Sequence, residues 1–418
     1  MIKHYFKQAL QMLKENPLVH TVSILGTALS IAMIIVVILV IQVKVAEYAP
    51  ESYRSNMLYI MNTQAQSNNF NNNGRMSAEV VKECFYALQK PEAVTAIHED
   101  ERAVSLPAKR LYKEYGIKYT DADFWNVFDF SFIYGSPFSG ADFHSGIPKA
   151  VITARVASEL FGTENAVGET IIIDFVSYTI TGIVKPVTKA ADHAYAEVWV
   201  PYTSVPSLLE NTRSEGISGP FITVILAGSR FGFNEIKKEL DQRIKQYNEG
   251  KNEFKVNFLS SPLTRLDIAA GSNGFHKVDL KDYLISTGGI LLFLLLIPAL
   301  NITGVIQSSI YKRQGEMGVR KAFGATRGKL IRQILYENLV ITLIGGLVGL
   351  VFSFILLETT KSFMLSSETV LTPEMLFKPG LFVLALFFIL LLNLLSAGIP
   401  AIQISRQQIV DALKETDH

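Results

Sequence analysis

Residues 338–357 read NLVITLIGGLVGLVFSFILL, twenty residues between Glu337 and Glu358 without a single charge. The hydrocarbon core of a bilayer is about 30 Å thick, so about 20 apolar residues in helix cross it. Burial inside a soluble core would leave an amphipathic stripe, and here apolarity runs all round the helix. Three further windows have the same character. Residues 21–43 are dense in Ile, Val and Leu, residues 283–311 are centred on GGILLFLLLIPAL, and the run between Lys378 and Arg406 is centred on LFVLALFFILLLNLLS. The expected fold is a membrane protein with four transmembrane helices, at 18–44, 283–311, 335–358 and 380–403. Composition agrees. Of 418 residues, 18% are charged and 49% hydrophobic, where soluble chains carry about 25% charged. Apolar residues this plentiful exclude disorder. Lys and Arg number 39 against 38 Asp and Glu, a balance that argues against a general nucleic-acid binder. A lone cysteine, Cys84, excludes an intrachain disulfide, a cysteine zinc cluster and a CxxC redox pair.

The first window exceeds the h-region of a signal peptide, about 7–15 residues, and no A-x-A site follows it. It reads as a retained anchor. Its leader, residues 1–17, places Ile2, Tyr5, Phe6, Leu10 and Leu13 at helical spacing alongside Lys3, Lys7 and Lys14, as in a helix lying in the cytoplasmic interface. Orientation follows the lysines and arginines of the short loops. The 312–334 loop holds Lys312, Arg313, Arg320, Lys321, Arg327, Lys329 and Arg332 against Glu316 alone, so it is assigned to the cytoplasm, as are both termini. The 359–379 loop, whose Lys361 and Lys378 stand against Glu368, Glu374 and the adjoining Glu358, is assigned outside, together with everything from 45 to 282. The tail, 404–418, returns to the cytoplasm.

The outer segment is long enough for one or two domains. MLYIMN (57–62), FITVILA (221–227) and FKVNFLS (254–260) read as strands. AEVVKECFYALQ (78–89) and FNEIKKELDQRIKQYN (233–248) read as helices, and a further strand is expected near 93–97. Between these end units, about 146–204 alternates β-rich runs around one short helix, ARVASELFG. We expect an α+β domain of two lobes, the second an inserted β-rich lobe. SNNFNNNG (67–74) reads as a polar surface loop, since it lacks the carboxylates of a calcium site.

Enzymatic signatures are missing. The nearest string to a phosphate-binding loop, FGATRGKL (323–330), has Phe323 in place of the first glycine and Leu330 in place of Ser or Thr. No HExxH or GxSxG occurs. Cys84 on an apolar face reads as core filler rather than a nucleophile, and Asp192–His193 as a surface turn. No catalytic, cofactor-binding or metal site is expected. What stands out is the 312–334 loop. Positive-inside charge explains its cations but not Glu316 among them, nor Gly315, Gly318, Gly324 and Gly328. Glycine costs about 1 kcal/mol against alanine in a helix, so the pattern suggests a short helix ended and restarted, a docking element for a soluble partner.

RQGEMGVRKAFGAT (313–326) resembles the signature of FtsX/MacB-type permeases of ABC transporters, approximately R-x-x-E-[IM]-G-[VIL]-R-[KR]-A-x-G-A. KAVITARVASELFGTENAVGETIIID (149–174), YTITGIVKPV (178–187) and AEVWVPYTS (196–204) resemble the MacB-like periplasmic core. PAIQISRQQIVDALK (400–414) resembles the family's closing segment, with Ile404 where Ala is usual and Ile409 where Pro is usual. Gln314–Gly315 likewise replaces a small–basic pair. The resemblance implies that the chain lacks its own ATPase, and that ATP and Mg are used by a separate ABC ATPase subunit. It assigns Glu316, Gly318, Val319, Arg320, Lys321, Ala322, Gly324 and Ala325 to ATPase coupling. It further implies a bacterial inner-membrane assembly of two permeases, homodimer or heterodimer, and two ATPases. Such an assembly transmits ATP-driven motion to the periplasmic domain for export or extraction of peptide, lipid, lipoprotein or antimicrobial cargo, often with a periplasmic adaptor. A non-transporting signalling complex that activates a cell-wall hydrolase or sensor is the alternative, and an ATP-independent receptor a third. Within the spans, Pro298 reads as a kink with Asn301 beside it, Gly345 and Gly349 as a close-packing pair, and Asn301 and Asn393 as interhelical hydrogen-bonding residues.

Overall fold

A computed structural model describes residues 17–67, 70–107, 109–210, 213–311, 314–364 and 379–406. The expected interfacial helix, most of the 359–379 loop and the tail beyond Arg406 lie outside these residues. The chain divides into two compact units, one holding residues 42–280 and the other built from the long helices.

The helical unit contains α1 (Pro17–Val45) as far as Ile41, α4 (Leu280–Tyr311) from Lys281, α5 (Gln314–Ala322), α6 (Arg327–Met364) and α7 (Pro379–Arg406). Among the described residues, three stretches are long and apolar enough to cross a membrane: Thr21–Val45, Arg327–Thr359 and Val383–Ile402. The span expected at 283–311 lies in a single 32-residue helix, α4, assigned without a break through Pro298. The side chains of Pro298 and Asn301 lie outside the described residues. The helices meet on an apolar core of Ile34, Leu295, Ala299, Ile306, Ile334, Leu392, Ala397 and Ala401. Close approach is possible because α6 presents glycines. A Cβ on Gly345 would stand 2.9 Å from the Thr27 side chain, and one on Gly349 2.6 Å from the Ala28 carbonyl oxygen of α1.

The expected 312–334 loop is mostly helix. Of its described residues, 314–322 form α5 and those from Arg327 onward belong to α6, which begins well before the expected boundary at 335. Arg327, Lys329 and Arg332 there are exposed, so polar residues continue the helix, a switch that a hydropathy window reads as the helix end.

In the 42–280 unit, the described strands form one ten-stranded sheet and one four-stranded sheet. The large sheet runs β14 (Leu263–Thr264), β1 (Met57–Ile60), β12 (Ile222–Leu226), β4 (Ala93–Leu106), β5 (Lys109–Thr120), β10 (Val198–Pro201), β7 (Lys149–Thr153), β9 (Val176–Val184), β6 (Phe132–Gly135). Here β8 (Thr170–Ile173) bridges β4 and β9. The two-lobed division is therefore corrected. The 146–204 strands and the end strands share a continuous sheet, joined by the β4–β5 hairpin, paired from Ile97↔Thr120 to Leu106↔Lys109. The expected strand at 93–97 stopped short because it continues as HEDERAVSL. Charged residues are depleted in strands in general, but this stretch of β4 keeps Glu99, Glu101 and Arg102 exposed.

Between β7 and β8 lies α2 (Ala154–Phe161). Thr153 caps its start by accepting from Val156 N–H, and Gly162 ends it at φ 74°, a left-handed conformation that glycine adopts without strain. The long α3 (Phe233–Glu249) buries Ile236 and Leu240. The 78–89 helix is reduced to a turn, Ala78–Val80, followed by a π-helical turn, Val81–Phe85, that buries Val81, Cys84 and Phe85. The SNNFNNNG run is also corrected: β3 (Asn71–Met76) pairs with β2 (Thr63–Gln66) in the small sheet, completed by β11 (Ser218–Gly219) and β13 (Lys255–Asn257). Asn72 is held there by donating to Ser214 and Ser218.

Candidate functional site

Helix α5 ends on Gly324, at φ 88°. Phe323 N–H donates to Val319 O and Ala325 N–H to Arg320 O, a left-handed glycine cap that closes the helix and reverses the chain. Thr326 O then accepts from Lys329 and Leu330 N–H as α6 begins. The hairpin is fastened from the side: Arg320 Nη1 donates to Gln333 Oε1 at 2.7 Å, and Gln333 Nε2 donates to the buried Glu337 at 2.8 Å. A charge-assisted bond of this kind is stronger than a neutral one.

With Arg320 turned inward, the outer surface is apolar and basic. Phe323 is 89% exposed and Val319 47%, the exposed Lys329 and Arg332 line a common cavity with them, and Arg327 at the start of α6 is exposed as well. Gly318 is buried, and Ala322, Gly324 and Ala325 line the turn. Glu316 and Lys321 lie in α5 by backbone, and their side chains are outside the described residues. An aromatic knob with cations beside it offers no nucleophile or acid–base pair. It can dock, by filling an apolar pocket whose rim carries acids. Phe323, absent from the expected coupling set, is the residue the sequence reading passed over. It falls at the unspecified position before Gly324 in the string that resembles the permease signature.

Deeper in the helical unit, Asn338 Nδ2 donates to Asn393 Oδ1 at 2.6 Å and to Ser396 Oγ at 3.2 Å, and Asn393 Nδ2 donates to Leu335 O. Thr303 donates to Ser396 O. These bonds join α4, α6 and α7 through buried polar groups.

A second cluster, unforeseen in the sequence, lies in the 42–280 unit. His193 is buried, which corrects the surface-turn reading of Asp192–His193. Its ring packs on Tyr59, 4.6 Å between centroids. Glu51, Asp192 and His193 present ligand atoms within 4.8 Å of one another. Yet Glu51 already accepts from Arg54 Nε and from the His193 and Ala194 N–H groups, and Asp192 from Arg265 Nη1. Two guanidiniums supply the positive charge that a metal would bring, so the cluster reads as an ionic junction. Lys118, fully buried, donates to the Asp192 and His193 carbonyls, and burial lowers its ammonium to about 8. Cys84 is buried, and desolvation pushes its thiol up to about 12, the opposite of a nucleophile's requirement.

The chain matches two family models, the MacB-like periplasmic core domain over residues 21–236 and the FtsX-like permease C-terminal domain over residues 288–409. Among curated proteins it is 27% identical over 227 residues to the uncharacterized ABC transporter permease YknZ of Bacillus subtilis, covering 54% of this chain and 53% of that one. It is 25% identical over 232 residues to the pyoverdine export ATP-binding/permease protein PvdT of Pseudomonas entomophila, covering 55% and 33%. To the macrolide export ATP-binding/permease protein MacB of Chromobacterium violaceum it is 23% identical over 291 residues, covering 70% and 42%. The chain thus spans about half the length of these relatives or less. Among solved structures, the periplasmic region of MacB from Actinobacillus actinomycetemcomitans aligns over 49% of this chain and 89% of that one, at 13% identity and a TM-score of 0.36. With the first family model spanning half of the chain and the second following it in order, the chain belongs to the FtsX/MacB-like family of ABC transporter permeases.

Proposed function

We propose that the chain is the permease subunit of a mechanically coupled ABC transporter. A separate ATPase docks on the α5–α6 turn, and its ATP- and Mg-dependent cycle drives the helices, which move the 42–280 domain. The observation that carries this reading is the turn itself: an exposed Phe323 and Val319 that share a cavity with Lys329 and Arg332, on a helix pinned by Arg320–Gln333. A rigid knob transmits displacement, and a loose loop would absorb it.

In this reading α1, α4, α6 and α7 all cross a bacterial inner membrane. The termini and the α5–α6 turn are cytoplasmic, the domain is periplasmic, and two copies or two related permeases pair. Two of these relatives are named for pyoverdine and macrolide export. We extend the direction to this chain, with peptide, lipid, lipoprotein or antimicrobial cargo, and with an adaptor as a further partner. The test is co-purification from native membranes with mass spectrometry, on the parent and on Phe323→Asp. Burying a carboxylate in an apolar pocket is strongly unfavourable, so the ATPase recovered with the parent is expected to fall at least tenfold with the variant at equal membrane insertion. Undiminished recovery refutes the docking assignment.

A further inference from the structure

The last turn of α1 is gripped from the side by residues remote in sequence. A helix leaves its final carbonyls without partners. Here Val43 O accepts from Arg54 Nη1 at 3.0 Å, Lys44 O accepts from Arg265 Nε at 2.6 Å, and the single Tyr48 Oη proton is shared between Val43 O at 3.1 Å and Ala190 O at 2.7 Å. Just beyond the helix, Ala46 O accepts from Arg54 Nη1 at 3.1 Å. The same groups reach the other way. Tyr48 and Arg54 both donate to Ala190 O, and Arg265 donates to Asp192. Glu51, itself bound to Arg54, receives the His193 and Ala194 N–H groups. Arg54 lies 4.1 Å over the Tyr48 ring, and Tyr48, Glu51, Arg54 and Arg265 are all buried.

We propose that Tyr48, Arg54 and Arg265 form a clamp that makes the sheet domain follow any displacement of the end of α1, by bridging that end to the 188–195 loop. The proposal rests on the mechanical reading above and names its transmission point. Each bridging group holds a carbonyl at the helix end on one side and the loop on the other. Lys118, from β5, takes two carbonyls of that loop, and the loop leads into β10, the neighbour of β5. A displacement therefore enters the middle of the sheet through side chains, beside the backbone connection from α1 to β1. The joint is stiff because opening it strands a buried charge, which is costly. Cationic side chains at a helix C-terminus also interact favourably with its dipole.

The test uses the full chain in nanodiscs with its ATPase, on a Cys84→Ser background, spin-labelled at Leu25→Cys and Phe175→Cys, both exposed positions. Electron–electron double resonance reads the distance distribution between the labels. Both tryptophans of the chain, Trp125 and Trp199, lie in the sheet domain, so their fluorescence reports whether that domain is folded. The variants are Arg265→Gln and the paired Glu51→Gln/Arg54→Gln, which removes both charges together. A distribution at least twofold broader than the parent's, with native tryptophan emission, is the expected result. Parental width in folded variants overturns the clamp. Tyr48→Phe removes only a bridging hydroxyl, and it decides the matter should the charge variants unfold: broadening supports the clamp, parental width refutes it. ATP shifting neither parent nor variant, with the widths as expected, would remove the mechanical reading and leave the clamp standing.

Discussion

One methyl group placed at two glycines separates helix propensity from helix packing. Gly304 of α4 has open space where a Cβ would go, whereas at Gly349 of α6 the added carbon would meet Ala28 O at 2.6 Å, Ile31 Cβ at 3.1 Å and Ala28 Cα at 3.2 Å. Ordinary carbon–oxygen contacts begin near about 3.3 Å, so α1 and α6 must part by ~0.7 Å at Gly349. The obstructing atoms include backbone, which cannot rotate aside. Overpacking of this kind costs about 1–3 kcal/mol. Both substitutions gain the same propensity, about 1 kcal/mol for alanine over glycine, and that gain cancels when the two variants are compared. Gly304→Ala is therefore expected to match or exceed the parent, and Gly349→Ala to be about 2 kcal/mol less stable than Gly304→Ala. Reversible unfolding of the full chain in mixed micelles measures both. Equal stability within about 0.5 kcal/mol, a margin small against the overpacking cost, would refute the packing argument.

Burial pushes the Asp121 carboxyl up to about 6, although Tyr86, Thr95 and the N–H groups of Ala96 and Phe124 donate to it. The folded state then holds this proton more tightly than the unfolded chain, whose value is 3.8. Its contribution is complete below pH 4 and falls by about 3 kcal/mol as pH rises through 6. Denaturant midpoints followed by tryptophan fluorescence should show that slope, and Asp121→Asn should flatten it. Asn393→Leu leaves the Asn338 amide without its 2.6 Å acceptor and is expected to cost about 1 kcal/mol. The double change Asn338→Leu/Asn393→Leu should recover most of this in the same micelle titration. Cys84, buried with its thiol pushed to about 12, should resist maleimide at pH 7.5 and label fully only on denaturation, as intact-mass spectrometry would report.

The membrane helices were legible because apolarity is a local property that accumulates residue by residue. The α5–α6 turn was legible in outline, since Gly324 marks a helix end wherever it falls. Its exposed knob was not, because nothing in the string distinguishes a Phe323 turned outward from one turned inward. The HEDER stretch of β4 was missed for a related reason. Its residues disfavour strands, and only the partner β5 and the exposed face make a strand of them.

Sequence alone therefore determined the solvent each segment requires, the family string, and the exclusion of the catalytic motifs sought. Tertiary structure decided what is joined to what. Arg54 reaches Ala190 across 136 residues, Arg265 reaches Lys44 across 221, and β1 pairs with β12 from the far end of the domain. A guanidinium in a string is a charge that water would solvate. It becomes a clamp when folding removes the water and leaves a carbonyl on either side.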